Sequence, residues 1–312
     1  MRKNNKITDA GKVPAGSRGD QSAEAINFYK KLRQPQPLVS VILLGEAPPD
    51  EIINKYNLKG IEFGRWVNFN DRLDYLKTTV IAFSDLQSIL RFNHSNIGFD
   101  KLTFAIGARG ASAASAHFEP HSDTINITRF HRKITDLFGN KINVSKFKLV
   151  EITGGISSVA HEYGHYLDYF FGSYIEQEKE SRSLSGGHST RTTPETLHHG
   201  ALRNQMEAVI NSIVWETMPN GKSKGVKTIE YQKMYKFCYP KKIYWLRRNE
   251  LFARAFEVYI YEKLKKQGIT NKALTHDQGQ YTAWPYIKGK TRIRVIKEID
   301  ILLRQMREIV NK

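Results

Sequence analysis

Two histidines stand four residues apart in His161-Glu162-Tyr163-Gly164-His165, inside a segment that reads as one helix from Ile156 to Phe171. A Gly154-Gly155 pair opens the segment, Ser157 or Ser158 is available as an N-terminal cap, and Gly172 stands where helices commonly end. At about 100° per residue, positions four apart lie about 40° apart and one turn up, so both imidazoles leave the helix on one face. Glu162 lies about 100° round from His161, beside that face but not on it. With 10 histidines and 19 glutamates in 312 residues, about 0.02 chance matches to H-E-x-x-H are expected.

That geometry suits a divalent metal. Two imidazole nitrogens on one face can both reach a zinc ion at about 2.0 to 2.1 Å, and the adjacent carboxylate can take a proton from a water held by the metal. A catalytic zinc site needs a third protein ligand and one open position. The segment Arg248 to Glu257 offers candidates, because Glu250, Arg254 and Glu257 follow i, i+4, i+7 on one face of a helix. Leu251, Ala255 and Val258 form another face. A polar stripe on an otherwise apolar helix needs a partner, either the histidine helix or an internal ion-pair network with Arg254. Asp168, seven residues after His161, shares the histidine face but lies more than one turn beyond, which suits a hydrogen-bond acceptor better than a ligand.

The rest of the chain supports a mixed α+β architecture. Asp71 to Leu90 carries apolar residues at helical spacing, whereas Leu102 to Ile106 and Thr124 to Thr128 read as strands, with Ala116 to Glu119 a hairpin partner of the second. Further helices are expected at about 202–216, 245–266 and 291–309. Residues 1–24 are rich in Gly, Ser, Asn, Lys and Asp and form an expected mobile basic tail. Residues 175–200, centred on a Ser-, Gly- and Thr-rich run, are expected to be a flexible insertion in a single domain covering 25–312. His117, His121, His198 and His199 read as surface residues, and Gly107-Ala108-Arg109-Gly110 as a turn lining a cleft.

Charge and composition bound the partners. The 48 Lys and Arg exceed 31 Asp and Glu, giving a net charge of +17. The excess lies in the N-terminal 40 residues and in residues 219–312, so the basic C-terminal third is a candidate face for nucleic acid or another polyanion. No apolar run approaches the roughly 18 to 20 residues of a membrane span, so no membrane is expected as partner. The single cysteine, Cys238, excludes an internal disulfide and a multi-cysteine metal cluster. With no apolar leader after the basic N-terminus, the expected location is cytoplasmic.

At HEYGHYLDYF followed by NELFARAF the chain resembles gluzincin metallopeptidases of the anthrax lethal factor type. That resemblance implies Glu250, not Glu257, as the third zinc ligand and a tyrosine shortly upstream, nearest to Tyr244, as the group that hydrogen-bonds the oxyanion. Over about residues 55–310 the chain also resembles the large polyvalent-protein-associated domain of phages and conjugative elements. The stretches that carry it are LKGIEFGRWVNFNDR, FAIGARGASAASAHFEP with TINITR, the HEYGH segment, YWLRRNELFARAFEVYI and WPYIKGKTRIR.

Together these resemblances imply a zincin-like domain with a short sheet, an active-site helix and a helical C-terminal part, acting inside a bacterial host cell into which it is delivered with phage or conjugative DNA. The expected activity is zinc-dependent hydrolysis of a protein or peptide. His161, His165 and Glu250 hold Zn2+, Glu162 is the base and Tyr244 serves the oxyanion. Asp168, Glu257 and Arg254 support the ligands. An extended substrate is expected to pair with a sheet edge, taken as Thr124 to Thr128. The competing reading is a basic, DNA-associated accessory protein that keeps the fold as scaffold without turnover.

Overall fold

Parallel strands cannot be joined by a tight turn, and the segment between the first two strands of the main sheet is accordingly a long helix. The computed structural model describes residues 29–35, 49–65, 67, 69–92, 96–109, 115–128, 157–177, 182–191, 201–218, 223–276 and 278–311. The expected tail, Gly110, Gly154-Gly155, His198-His199 and part of the 175–200 stretch lie outside them. The chain is mixed α+β and falls into two compact units, Met1–Glu162 with Leu264–Thr275, and Tyr163–Lys263 with His276–Lys312.

In the first unit, α1 (Pro49–Tyr56) leads to β2 (Gly60–Phe63), α2 (Phe69–Leu90), β3 (Thr103–Ile106), β4 (Ala116–Glu119) and β5 (Thr124–Ile127). The sheet order is β2-β3-β5-β4, parallel except for the antiparallel β4–β5 hairpin. Alternation along the strands sorts the side chains. Ile61, Phe104 and Ile125 share one face, and Phe83 of α2 meets Phe104 edge-on at 5.2 Å between ring centres, with Tyr56 of α1 5.3 Å from Phe83. The opposite face is polar, with Glu62, Thr103, Thr124, Asn126, His117 and Glu119 in register.

Two short strands, β1 (Arg33–Gln34) and β8 (Thr270–Asn271), pair antiparallel. Asp85 of α2 ties them down. It accepts from Arg33 Nε at 2.7 Å and from Asn271 Nδ2 at 2.8 Å.

The strands expected from the sequence are present, but the expected edge is not one. Thr124–Ile127 is flanked on both sides, and β4 and β2 occupy the edges. Local pattern specifies a hairpin, whereas which of its strands takes another neighbour depends on residues far away in sequence.

The second unit is mainly helical. The helix α3 (Val159–Phe170) carries the histidine run. It does not stop at Gly172, because a π-helical turn, Phe171–Ile175, extends it. Gly172 serves close packing instead, since a Cβ there would come within 2.6 Å of the Ser183 Cα.

Next come α4 (Leu202–Val214), the hairpin β6 (Trp215–Thr217) with β7 (Ser223–Lys227), α5 (Ile229–Cys238), a 3-10 turn at Ile243–Leu246, α6 (Arg248–Lys266) and α7 (Gly289–Val310). Thr228 caps α5 by accepting the Tyr231 N–H at 3.0 Å. Helices α4 and α7 pack along each other, with Gln205 donating to the Glu298 carboxylate at 2.9 Å and Arg294 donating to the Ser212 carbonyl at 2.6 Å. Among the described residues no helix is long and apolar enough to cross a membrane.

Candidate metal centre

Gly164 stands at the fourth position of the His-Glu-Tyr-Gly-His run because another helix passes over it. A Cβ at that point would lie 3.1 Å from the Ala253 Cα and 3.2 Å from a ring carbon of Phe256, tighter than an ordinary contact, so a side chain there would press α6 away from α3. Tyr163 anchors the same crossing from the apolar side. It is fully buried, its ring 6.3 Å from Phe256 and 5.6 Å from Tyr166, and burial pushes its phenol well above the ordinary value.

This close crossing brings the first turn of α6 to the histidine face. His165 Nε2 lies 3.4 Å from Glu250 Oε1. His161 is placed one turn earlier on the same continuous helix, and one ligand atom from each of His161, His165 and Glu250 lies within 4.8 Å of the others. The other oxygen of Glu250 accepts from Arg254 Nη1 at 2.8 Å, and Arg254 also donates to the Trp245 carbonyl. Arg254 is buried, so its charge holds the carboxylate in one orientation. Glu162 is buried in the first turn of α3, its N–H donated to the Ser158 carbonyl at 3.1 Å.

Asp168 has no exposed surface. It accepts the Ser185 N–H at 2.8 Å and the Ser185 hydroxyl at 2.6 Å. Burial pushes its carboxyl up, and the two Ser185 bonds with the nearby His165 and Arg203 offset that only in part. Through Ser185 it fixes residues 182–191, which lie inside the stretch expected to be a flexible insertion, and whose Ser183, Leu184 and Ser185 are buried.

That strap covers the start of α6. Ser189 accepts the Arg248 N–H at 2.8 Å and Gly187 accepts the Asn249 N–H at 3.1 Å, which satisfies donors that a helix N-terminus leaves open. Arg248 in turn donates to the Ser185 and Arg191 carbonyls and to Glu207.

His188 is held between the two strap carbonyls, exposed to solvent. Partial desolvation, Arg247 and His165 lower its proton affinity, while Glu250 works against them. The sequence reading did not single it out, since a histidine in a Ser-Gly run carries no spacing signal. Tyr244, in the 3-10 turn, is exposed. Desolvation and the charge of Glu250 both raise its phenol, which places it within electrostatic reach of the cluster.

Glu257 lies two turns beyond Glu250, fully buried, accepting from the Tyr281 hydroxyl at 2.8 Å and the Tyr286 hydroxyl at 3.1 Å, with His276 Nε2 at 3.7 Å. Away from the cluster, His117 and His121 both flank Glu119, and Arg109 pairs with Glu62 at 2.9 Å.

One separation of the donor set has the spacing a tetrahedral ion would need. Ligand atoms about 2.1 Å from a tetrahedral centre stand roughly 3.4 Å apart, and the His165–Glu250 separation has that value. The same separation is long for a direct N–H···O hydrogen bond, which prefers about 2.7 to 3.2 Å. Two imidazoles and one carboxylate leave a position open.

Fold and cluster therefore define an α+β protein with a His-His-Glu group at a crossing of two helices. Residues 237–309 match the family model of large polyvalent protein-associated domain 1, less than a quarter of the chain. The match includes Tyr244, Glu250, Arg254 and Glu257 and excludes the histidine helix. No curated protein and no solved structure matches the chain.

Proposed function

We propose that the protein is a zinc-dependent peptidase of the gluzincin type, carried by a phage or conjugative element and acting inside the bacterial host. The observation that carries this reading is the convergence of His161, His165 and Glu250 within 4.8 Å, with Glu162 on the adjoining helical position. A zinc ion held by these three would supply Lewis acidity to a carbonyl or a water. Glu162 accepts the proton of the attacking water and returns it to the leaving amine, the task its place next to His161 suits. Arg254 holds Glu250 by its far oxygen, keeping the near one turned to His165. Tyr244 donates its hydroxyl to the oxyanion of the tetrahedral intermediate; loss of such a donor typically costs about 2.7 to 4 kcal/mol of barrier.

The deciding experiment combines metal analysis of protein purified without added metal with cleavage of a peptide library by wild type and Glu162→Gln. One zinc per chain in both proteins, with cleavage by wild type alone, is the expected result. Absence of zinc from both sinks the reading.

A further inference from the structure

Among the described residues, seven of the twelve large apolar or aromatic side chains exposed to solvent fall between Val226 and Tyr244. Interleaved with them are Lys224, Lys227, Lys233, Lys236, Lys241 and Lys242, against the single acid Glu230. Among the described residues no carboxylate pairs with any of these six lysines. Two of them lie over rings instead. Lys227 is 5.5 Å from the centre of Tyr231 and 5.7 Å from that of Tyr235, and Lys242 is 4.8 Å from Phe237 and 4.7 Å from Trp245.

The rings form platforms. Tyr235 and Tyr239, one turn apart at the end of α5, stack at 5.3 Å and 11°, and Phe237 stacks on Trp245 at 6.1 Å and 17°. Tyr239 is 54% exposed and Phe237 46%, so each platform keeps an outer ring surface in water. Lys288, 3.8 Å from the Trp284 ring, extends the patch, its ammonium destabilised by desolvation and by nearby Arg292 and Lys233. Water-exposed aromatic surface without a partner is unfavourable, as is a cluster of cations without counter-ions. A ligand that relieves both must be a polyanion carrying flat aromatic groups.

We propose that residues 224–245, with Trp284 and Lys288, form a binding surface for single-stranded nucleic acid. Its bases stack on the Tyr235–Tyr239 and Phe237–Trp245 platforms and its phosphates lie along the lysines. Duplex nucleic acid hides its base faces and can use only the lysines, and an acidic peptide offers charge without planar rings. The chemistry on the surface therefore favours a single strand. The inference is independent of the peptidase reading, since none of these contacts needs a metal.

Fluorescence anisotropy of a labelled 20-nucleotide oligothymidylate, titrated with full-length protein in EDTA, tests it. The single strand should bind at 50 mM salt more tightly than a duplex of equal length, and binding should weaken steeply by 200 mM. Tyr235→Ala and Phe237→Ala, both at exposed positions, should each weaken it by about five- to 100-fold, the effect of losing a stacked base. Lys236→Ala and Lys241→Ala should reduce the salt dependence.

Unchanged thermal unfolding of the variants separates lost contacts from lost folding. Equal binding of duplex and single strand, or no effect of the ring substitutions, overturns the stacking assignment. Tighter binding of labelled polyglutamate than of the oligonucleotide assigns the surface to an acidic protein instead. Because EDTA is present throughout, a negative result leaves the metal assay untouched.

Discussion

The backbone of Ala253 crosses over Gly164 so closely that a side chain on the glycine would sit 3.1 Å from the alanine Cα. This contact sets the spacing between the helix that carries the histidines and the helix that carries Glu250. Gly164→Val should force the two apart. Overpacking of this kind typically costs about 1 to 3 kcal/mol, so thermal unfolding should occur several degrees lower. Zinc retained after dialysis should fall below one per chain, because the third ligand is withdrawn from the other two. Wild-type stability and wild-type zinc content in this variant would show that the crossing does not set the site.

The ranking of the two carboxylates on α6 is tested by substitution. Glu250→Ala removes an oxygen that faces His165 at 3.4 Å, and should empty or severely weaken the site. Glu257→Ala should instead destabilise the fold, because it leaves the buried hydroxyls of Tyr281 and Tyr286 without their acceptor, at roughly 1 to 3 kcal/mol for each unsatisfied group. Zinc stoichiometry and thermal unfolding, measured on both variants, should therefore separate. Loss of zinc from Glu257→Ala with retention in Glu250→Ala would reverse the assignment.

Arg254 reaches the far oxygen of Glu250 at 2.8 Å and is buried while doing so. Arg254→Met keeps much of the buried stem and removes the fork. Partners of this type typically change metal affinity by about 10- to 100-fold, so competition with a zinc chelator should shift by that amount while equimolar zinc still fills the site. An unaltered chelator titration would mean that Glu250 needs no help from Arg254.

How much of this was legible in the sequence depends on the distance over which the signal acts. The histidine helix and the Glu250 helix are local patterns, and the spacing of His161, His165 and Glu162 follows from helix geometry alone. Helix periodicity leaves Glu250 and Glu257 unranked, because both share a helical face; the resemblance ranks them, and the crossing at Gly164 brings Glu250 to His165. The 182–191 strap shows a related limit of local pattern. Its Ser and Gly residues signal a loop, but Asp168 and Arg248, 17 and 63 residues from Ser185, fix it in place. His188 inherits its position from that strap and could not be seen without it.

Asp168 gives the strap a pH dependence. Burial raises its carboxyl in the folded chain above the ordinary value. A raised acid binds more protons folded than unfolded, so stability should fall as pH rises from the ordinary carboxylate range through the native value of Asp168. Asp168→Asn retains an acceptor for the Ser185 N–H and cannot ionise. The slope of stability against pH over that interval should flatten in the variant, as measured by denaturant unfolding at several pH values. An identical slope in both proteins would remove Asp168 as its source.

Tyr244 and His188 are exposed groups in electrostatic contact with Glu250, and each could donate a hydrogen bond to a developing oxyanion. At neutral pH the phenol carries its proton and is a stronger acid, hence a stronger donor, than the N–H of a neutral imidazole. His188 is driven toward its neutral form by desolvation, Arg247 and His165. Tyr244→Phe should therefore lower kcat by about 100- to 1,000-fold, the usual effect of removing one oxyanion donor. Bound zinc and KM should change little, since the hydroxyl acts chiefly in the transition state. His188→Ala should have a smaller effect at neutral pH. Comparison of kcat and KM for both variants on a cleaved peptide decides between them. A large loss in His188→Ala beside near-normal turnover in Tyr244→Phe would transfer the oxyanion role to the strap.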